Sequence, residues 1–130
     1  MTPLVSAAKA LSDPNRVRIL AMLRDGELCV CELCDALRLT QSTLSTHLQV
    51  IRQAALVTTH KRGKWNYYAI APQAKWLLDS LFGFFAAPLA SDRKLAADAR
   101  RLKERLALRE AGACCVGFAC GTPARKGTAK

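Results

Sequence analysis

Three cysteines fall close together as Cys29, Cys31 and Cys34, spaced C-x-C-x-x-C. Thiolates are soft ligands, so such a group selects thiophilic ions. A second group, Cys114, Cys115 and Cys120, lies near the end of the chain among small residues and glycines. It reads as a second or alternative thiol site, as an accessory donor to the first, or as an uncommitted tail. Between the two groups, Gln41, Ser42, Thr43, Ser45, Thr46 and Gln49 supply uncharged donors and acceptors of short or medium reach. Side chains of that kind read base edges in a major groove. Arg52, Lys61, Arg62 and Lys64 follow as cations for phosphate oxygens or a minor groove. His47 is divided between a DNA contact and a packing contact, and His60 reads as a surface residue.

The spacing constrains how the first thiol group can work. At about 100° per residue, Cys31 and Cys34 share one helical face, while Cys29 points about 160° from Cys31. All three meet one ion only if Cys29 leaves helical geometry or the first helical turn distorts. Either event strains the start of a helix that packs against the DNA-reading one, which links ion binding to DNA binding. The same residues admit other readings: small apolar side chains, a redox pair of Cys31 and Cys34, or a zinc site. Tetrahedral zinc wants four ligands, and the helix expected over residues 72–87 carries no histidine. A dithiol oxidoreductase needs a nucleophile–base pair, and none accompanies these cysteines, so no enzyme is expected.

Periodicity and capping residues give the elements that must position these groups. Thr2 to Leu11 reads as a short helix with Leu4, Ala7, Ala8 and Leu11 on one face. Asp13 can cap and Pro14 suits a first helical position, opening a helix to about Arg24. Val17, Leu20, Ile19 and Leu23 are its candidate core residues, and Asp25-Gly26 ends it. A third helix covers about Val30 to Leu37 and buries Leu33 and Leu37. After the tight turn Arg38-Leu39-Thr40, Thr40 caps a fourth helix from Gln41 to about Ala54, whose apolar stripe is Leu44, Leu48 and Ile51. Two helices joined by so short a turn make a helix-turn-helix.

The period then changes. Leu56–His60 and Trp65–Ile70 are rich in β-branched and aromatic residues and flank Lys61-Arg62-Gly63-Lys64, where Gly63 supplies the positive φ of a hairpin turn. This hairpin is the wing. Pro72 opens a fifth helix to about Ala87, apolar on nearly every side, which calls for cover from a second subunit. In the last helix, Asp92 to about Glu110, Leu95, Ala99, Leu102 and Leu106 form a narrow seam like a helix–helix dimer contact. The fold class is therefore mainly α with a β-hairpin wing: a winged helix-turn-helix, homodimeric through its terminal helices. Residues 1–111 form that domain and 112–130 a flexible cysteine-containing tail.

Charge agrees with a nucleic-acid partner. The chain carries a net +10, and from Ala36 to Leu78 it has no Asp or Glu but six Lys and Arg. An acid-free stretch of that length fits a phosphate backbone and ranks DNA ahead of a membrane surface. A hydrophobic content of 51% excludes a disordered polyelectrolyte. No secretory signal is visible, and the longest apolar run, Ser80 to Ala90, is too short for a bilayer. A cytoplasmic protein without a membrane partner is expected, in which six cysteines read as metal ligands or redox thiols.

The segment Glu27-Leu-Cys-Val-Cys-Glu-Leu-Cys34 resembles the ELCVCDLC segment of enterobacterial members of the ArsR/SmtB family of winged-helix repressors. Gln41 through Leu48 resembles that family's recognition helix, and Arg62-Gly63-Lys64-Trp65 with Tyr68 resembles its wing. The likeness runs from about Leu4 to Leu108 and is narrowest to the arsenic-responsive branch. It implies a homodimer on an inverted-repeat operator of an arsenic-resistance operon, released when As(III) or Sb(III) binds Cys29, Cys31 and Cys34, with no organic cofactor. Cadmium- or lead-responsive and thiol-redox-responsive repressors are the alternatives. Three departures stand out. Thr46 replaces an Arg of many relatives, Ala54-Ala55 replaces a glycine-ended helix, and the tail cysteines resemble a different subgroup.

Overall fold

α1 (Thr2–Ala10) and α2 (Pro14–Leu23) meet at Asp13, whose carboxylate accepts the Asn15 N–H at 2.8 Å and the Arg16 N–H at 3.4 Å. The computed structural model describes residues 1–109. The tail expected over 112–130, with Cys114, Cys115 and Cys120, lies outside the described residues. Partial burial raises the Asp13 carboxyl, but the two backbone bonds and the charges of His47 and Arg16 outweigh it, and its pKa falls below the ordinary 3.8. Asp13→Ala is therefore expected to cost about 1 kcal/mol at neutral pH. A lowered carboxylate stabilises only while ionised, so the cost should fade as pH drops below 3.8 through the depressed folded value. Urea titrations at pH 7 and pH 3 measure both.

The face of α1 is not the expected one. Leu4 and Ala8 are exposed, Ala7 and Leu11 pack half-buried against the core, and Ala10 is fully buried. α3 (Val30–Leu37) and α4 (Gln41–Gln53) form the helix-turn-helix. Arg38 ends α3 in the left-handed region (φ 57°), and the Thr40 hydroxyl accepts the Thr43 N–H at 3.3 Å to start α4. Leu33, Leu37, Leu44, Leu48 and Ile51 join Ile19, Leu20 and Leu23 of α2 in one core.

β2 (Val57–Arg62) and β3 (Trp65–Ile70) pair antiparallel around Gly63, at φ 61°. A third strand, β1 (Leu28–Cys29), pairs antiparallel with the other edge of β3, Leu28 opposite Tyr68 and Cys29 opposite Tyr67, giving the order β1-β3-β2. The turn from α4 into β2 forms without glycine by placing Ala55 at φ 62°. An L-residue there costs about 1–2 kcal/mol, against about 0.4–1 kcal/mol of chain entropy that glycine forfeits. Ala55→Gly should thus raise the melting temperature by a few degrees, read by thermal denaturation.

α5 (Pro72–Phe84) ends earlier than expected and is followed by α6 (Ala86–Ala90), which contains Pro88. Proline is tolerated there because the first N–H groups of a helix have no partner within it. α5 buries Ala74, Leu78 and Phe82 but leaves Trp76 and Phe84 about four-fifths exposed. No helix among the described residues is long and apolar enough to cross a membrane.

α7 (Arg93–Leu106) carries the leucines expected to form a dimer seam. It packs on α3 of its own chain, with Leu102 buried, Leu95 and Leu106 half-buried and Ala99 exposed. Buried beside Leu102 are two charged residues, Asp98 and Arg105. Arg18 of α2 grips Asp98 through Nε at 2.7 Å and Nη2 at 2.9 Å, and also donates to the Leu37 carbonyl. Three arginines then step along α3. Arg101 donates to the Ala36 carbonyl at 2.8 Å, Arg105 to Asp35 at 2.6 Å, and Arg109 to Glu32 at 2.7 Å. Numbers rise on α7 as they fall on α3, so the helices are antiparallel. The first turn of α7 lies at the helix-turn-helix turn, and Arg109 lies at the start of α3.

Candidate thiol site beside a nucleic-acid interface

Cys29 is the N-cap of α3 and is extended (φ −84°, ψ 166°), so it does leave helical geometry. Its Sγ meets the Cys31 Sγ at 2.8 Å, and both residues are buried. With the fully buried Tyr67, and Trp65 packed against it, the pair forms a cluster apart from the main core. Cys34 is placed differently: it belongs to the main core and is fully buried there. Among the described residues no three Cys, His, Asp or Glu side chains are gathered in an arrangement that could hold a metal ion. The structure brings two of the three thiols together and leaves the third in the core.

A buried polar frame holds this pair. Glu32, wholly inaccessible to solvent, accepts the Cys29 N–H at 3.1 Å. Arg109 closes on Glu32 with two bonds of 2.7 Å, donates to the Glu27 carbonyl at 2.9 Å, and lies 5.8 Å from the Tyr67 ring centroid. A buried carboxylate needs such a partner. The Arg109 guanidinium is held above its ordinary pKa, first by the hydrogen bonds to Glu32, against its own desolvation, with the Glu32, Tyr67 and Cys29 charges adding to the effect. The thiolate is the form that ligates a soft ion. On the other side, the Glu27 carboxylate pairs with His60 Nε2 at 2.9 Å and with Arg62. His60 and Arg62 both lie on the Tyr67 ring, at 5.9 and 4.8 Å from its centroid. Sequence reasoning missed Glu32, Arg109 and Tyr67. Glu32 stands three residues after Cys29, which is the spacing of a capping box and was a readable signal.

The thiol pair opens on a cleft of about 260 Å³ walled by Cys29, Cys31, Gln41, Ser45, Lys64 and Trp65. Thiols, α4 and the wing therefore share one cavity.

On α4, the expected contact residues Gln41, Ser42, Thr43, Ser45, Thr46 and Gln49 are all exposed opposite the buried stripe. Thr43 shares a hydrogen bond with Thr40 at 3.0 Å, and the Thr46 hydroxyl donates to the Ser42 carbonyl at 3.1 Å. His47 is half-buried with Nδ1 3.3 Å from Arg16, so packing claims part of it. Arg52 and Lys61 are exposed, and Lys64 sits over the Trp65 ring at 5.3 Å. Arg62 is drawn inward onto Glu27 and Tyr67, unlike the other wing cations. His60, expected at the surface, is half-exposed but tied to Glu27.

A helix-turn-helix family described as "Bacterial regulatory protein, arsR family" matches residues 13–59. The chain is 38% identical over 97 residues to the arsenic resistance transcriptional regulator ArsR1 of Pseudomonas putida, covering 74% of each protein. Among solved structures it resembles HlyU from Vibrio cholerae, with a TM-score of 0.60 and 35% identity over 65% of this chain and 94% of that one. It also resembles the homodimeric winged helix-turn-helix DNA-binding domain Mb0332 from Mycobacterium bovis, with a TM-score of 0.60 and 29% identity over 66% of this chain and 80% of that one.

Proposed function

The chain belongs to the ArsR family of DNA-binding transcriptional repressors, and from that premise we propose that trivalent metalloid is its inducer. It acts as a homodimer on an inverted-repeat operator of an arsenic-resistance operon and lets go when As(III) or Sb(III) binds its thiols. The observation that carries this reading is the Cys29–Cys31 contact at 2.8 Å in a cleft shared with α4 and the wing. The arsenic regulator of P. putida among its relatives supports it. The exposed Trp76, Phe84 and Leu4, and the homodimeric relative, support the dimer.

Coupling follows from what holds Cys29. Its backbone pairs with Tyr67 of β3, and its N–H is tied to Glu32. An ion on the thiol pair seeks a third thiolate, from Cys34 or from Cys114, Cys115 or Cys120. Drawing Cys34 out of the core turns the first turn of α3 and loosens the Glu32 cap, and the displacement reaches the wing through β3. The DNA-bound and metalloid-bound shapes then compete for the same residues. Fluorescence anisotropy of an operator duplex, under reducing and metal-free conditions and then titrated with arsenite, tests the reading. Tight binding followed by release is expected, and a protein that never binds the operator sinks it.

The same sulfur contact favours one other reading, a thiol-redox repressor. There a peroxide oxidises Cys29 and Cys31 to a disulfide and is itself reduced to water. That reading requires release by peroxide with no metalloid present. A cadmium- or lead-responsive repressor would instead show the larger ion ahead of arsenite in the same titration.

A further inference from the structure

We propose that the first turn of α7 is a second DNA-contacting element, which holds operator phosphates beside the helix-turn-helix; this rests on the repressor reading above. The antiparallel strap sets that turn against the junction of α3 and α4, where Arg101 donates to the Ala36 carbonyl and Arg18 bridges the Leu37 carbonyl and Asp98. An open concavity of about 670 Å³ lies there, lined among others by Arg18, Arg38, Arg93, Lys94 and Arg101. Arg18 and Arg101 are committed to Asp98. Arg38, Arg93 and Lys94 are exposed, and no acidic side chain among the described residues pairs with them. The neighbouring Asp92 spends its carboxylate on the Leu95 N–H at 2.9 Å, as the cap of α7.

Continuity with the reading helix identifies the partner. Arg38 stands two residues before Thr40, the cap of α4, and its left-handed backbone (φ 57°) is where the chain turns toward the DNA-reading face. The cationic concavity begins where that helix begins. Phosphate oxygens flanking the groove that α4 enters are the matching anions, and contacts to them position a protein without reading sequence. The two ends of this strap then have separate tasks: Arg109, just past the end of α7, frames the thiols, and Arg93 with Lys94, in its first turn, holds the duplex.

The test uses the full chain and two double variants of equal charge change. One is Arg93→Gln with Lys94→Gln. The other is Arg100→Gln with Lys103→Gln, exposed cations further along α7. Operator affinity is measured against salt concentration, on the operator and on a scrambled duplex of the same length. Each lost phosphate contact should lower the slope of log K against log salt by about 0.9. The first double should therefore lose about 1.8 per subunit, equally on both duplexes. The second should keep the wild-type slope, and circular dichroism should show both folded. An unchanged slope in the first double, or an equal fall in both, overturns the proposal. Wild-type protein that does not prefer the operator over the scrambled duplex overturns the repressor reading instead, while the slopes on the scrambled duplex still judge the patch.

Discussion

Asp98→Ala should unfold much of what α7 organises, at a cost of about 3–5 kcal/mol, the range found when one partner of a buried ion pair is removed. Asp98 is wholly buried and accepts from Arg18 and Arg101 together. Without it, the Arg18 guanidinium stays buried with, among the described residues, the Asn15 side chain and the Leu37 carbonyl as its remaining acceptors. Against a total stability of about 5–15 kcal/mol for a domain of this kind, the loss is a large share. Asp98→Asn keeps an acceptor and should cost less. Changing Arg18 to Met and Asp98 to Leu together should recover most of the loss, because an apolar pair of similar volume often replaces a buried ion pair at little cost. Urea denaturation of the three variants orders them. A loss under about 1 kcal/mol for Asp98→Ala would mean that α7 is not docked as described.

Cys29→Ser and Cys31→Ser are expected to leave a repressor that binds its operator and ignores arsenite. Allosteric couplings are typically about 1–3 kcal/mol, so wild type should lose roughly 5- to 150-fold in operator affinity on saturation, and each variant less than about twofold. Cys34→Ser differs in kind, because Cys34 sits in the main core. It should lower stability as well as response, which a thermal melt separates from the anisotropy titration. A triple change of Cys114, Cys115 and Cys120 completes the set. If that variant alone stays on DNA under arsenite, the sensing thiols are in the tail and the pair at α3 is not the switch.

The sequence carried the reading head well. α2, α3 and α4 show apolar stripes at helical spacing with Asp13 and Thr40 as caps, and the hairpin shows β-branched residues around Gly63. These signals are local, so a linear chain displays them. β1 has only two residues, too few for any alternation to register. The docking of α7 on α3 was not legible because its pattern of leucines is the same whether the helix meets a second subunit, α3 or both. What decides is the burial of Asp98 and Arg105 against partners 80 and 70 residues away, which hydrophobic periodicity cannot express. The thiols divide in the same way. Helical spacing allied Cys31 with Cys34, whereas the strand pairing that makes Cys29 extended sets Cys29 on Cys31 instead. Arg62, expected as a wing cation for DNA, also pairs with Glu27, a partner 35 positions earlier that local spacing does not reveal.

The pairs Arg18–Asp98 and Glu32–Arg109 also set a schedule for synthesis. A ribosome delivers Arg18 and Glu32 some 80 and 77 residues before the groups that neutralise them. Until those arrive, burying either charge is unfavourable, so α2 and α3 cannot settle into their final packing while the nascent chain is short. The helix-turn-helix thus reaches its working shape only after α7 has been made. A translation product cut short before Asp98 would carry the whole reading helix and still lack the counter-charges that let its scaffold close.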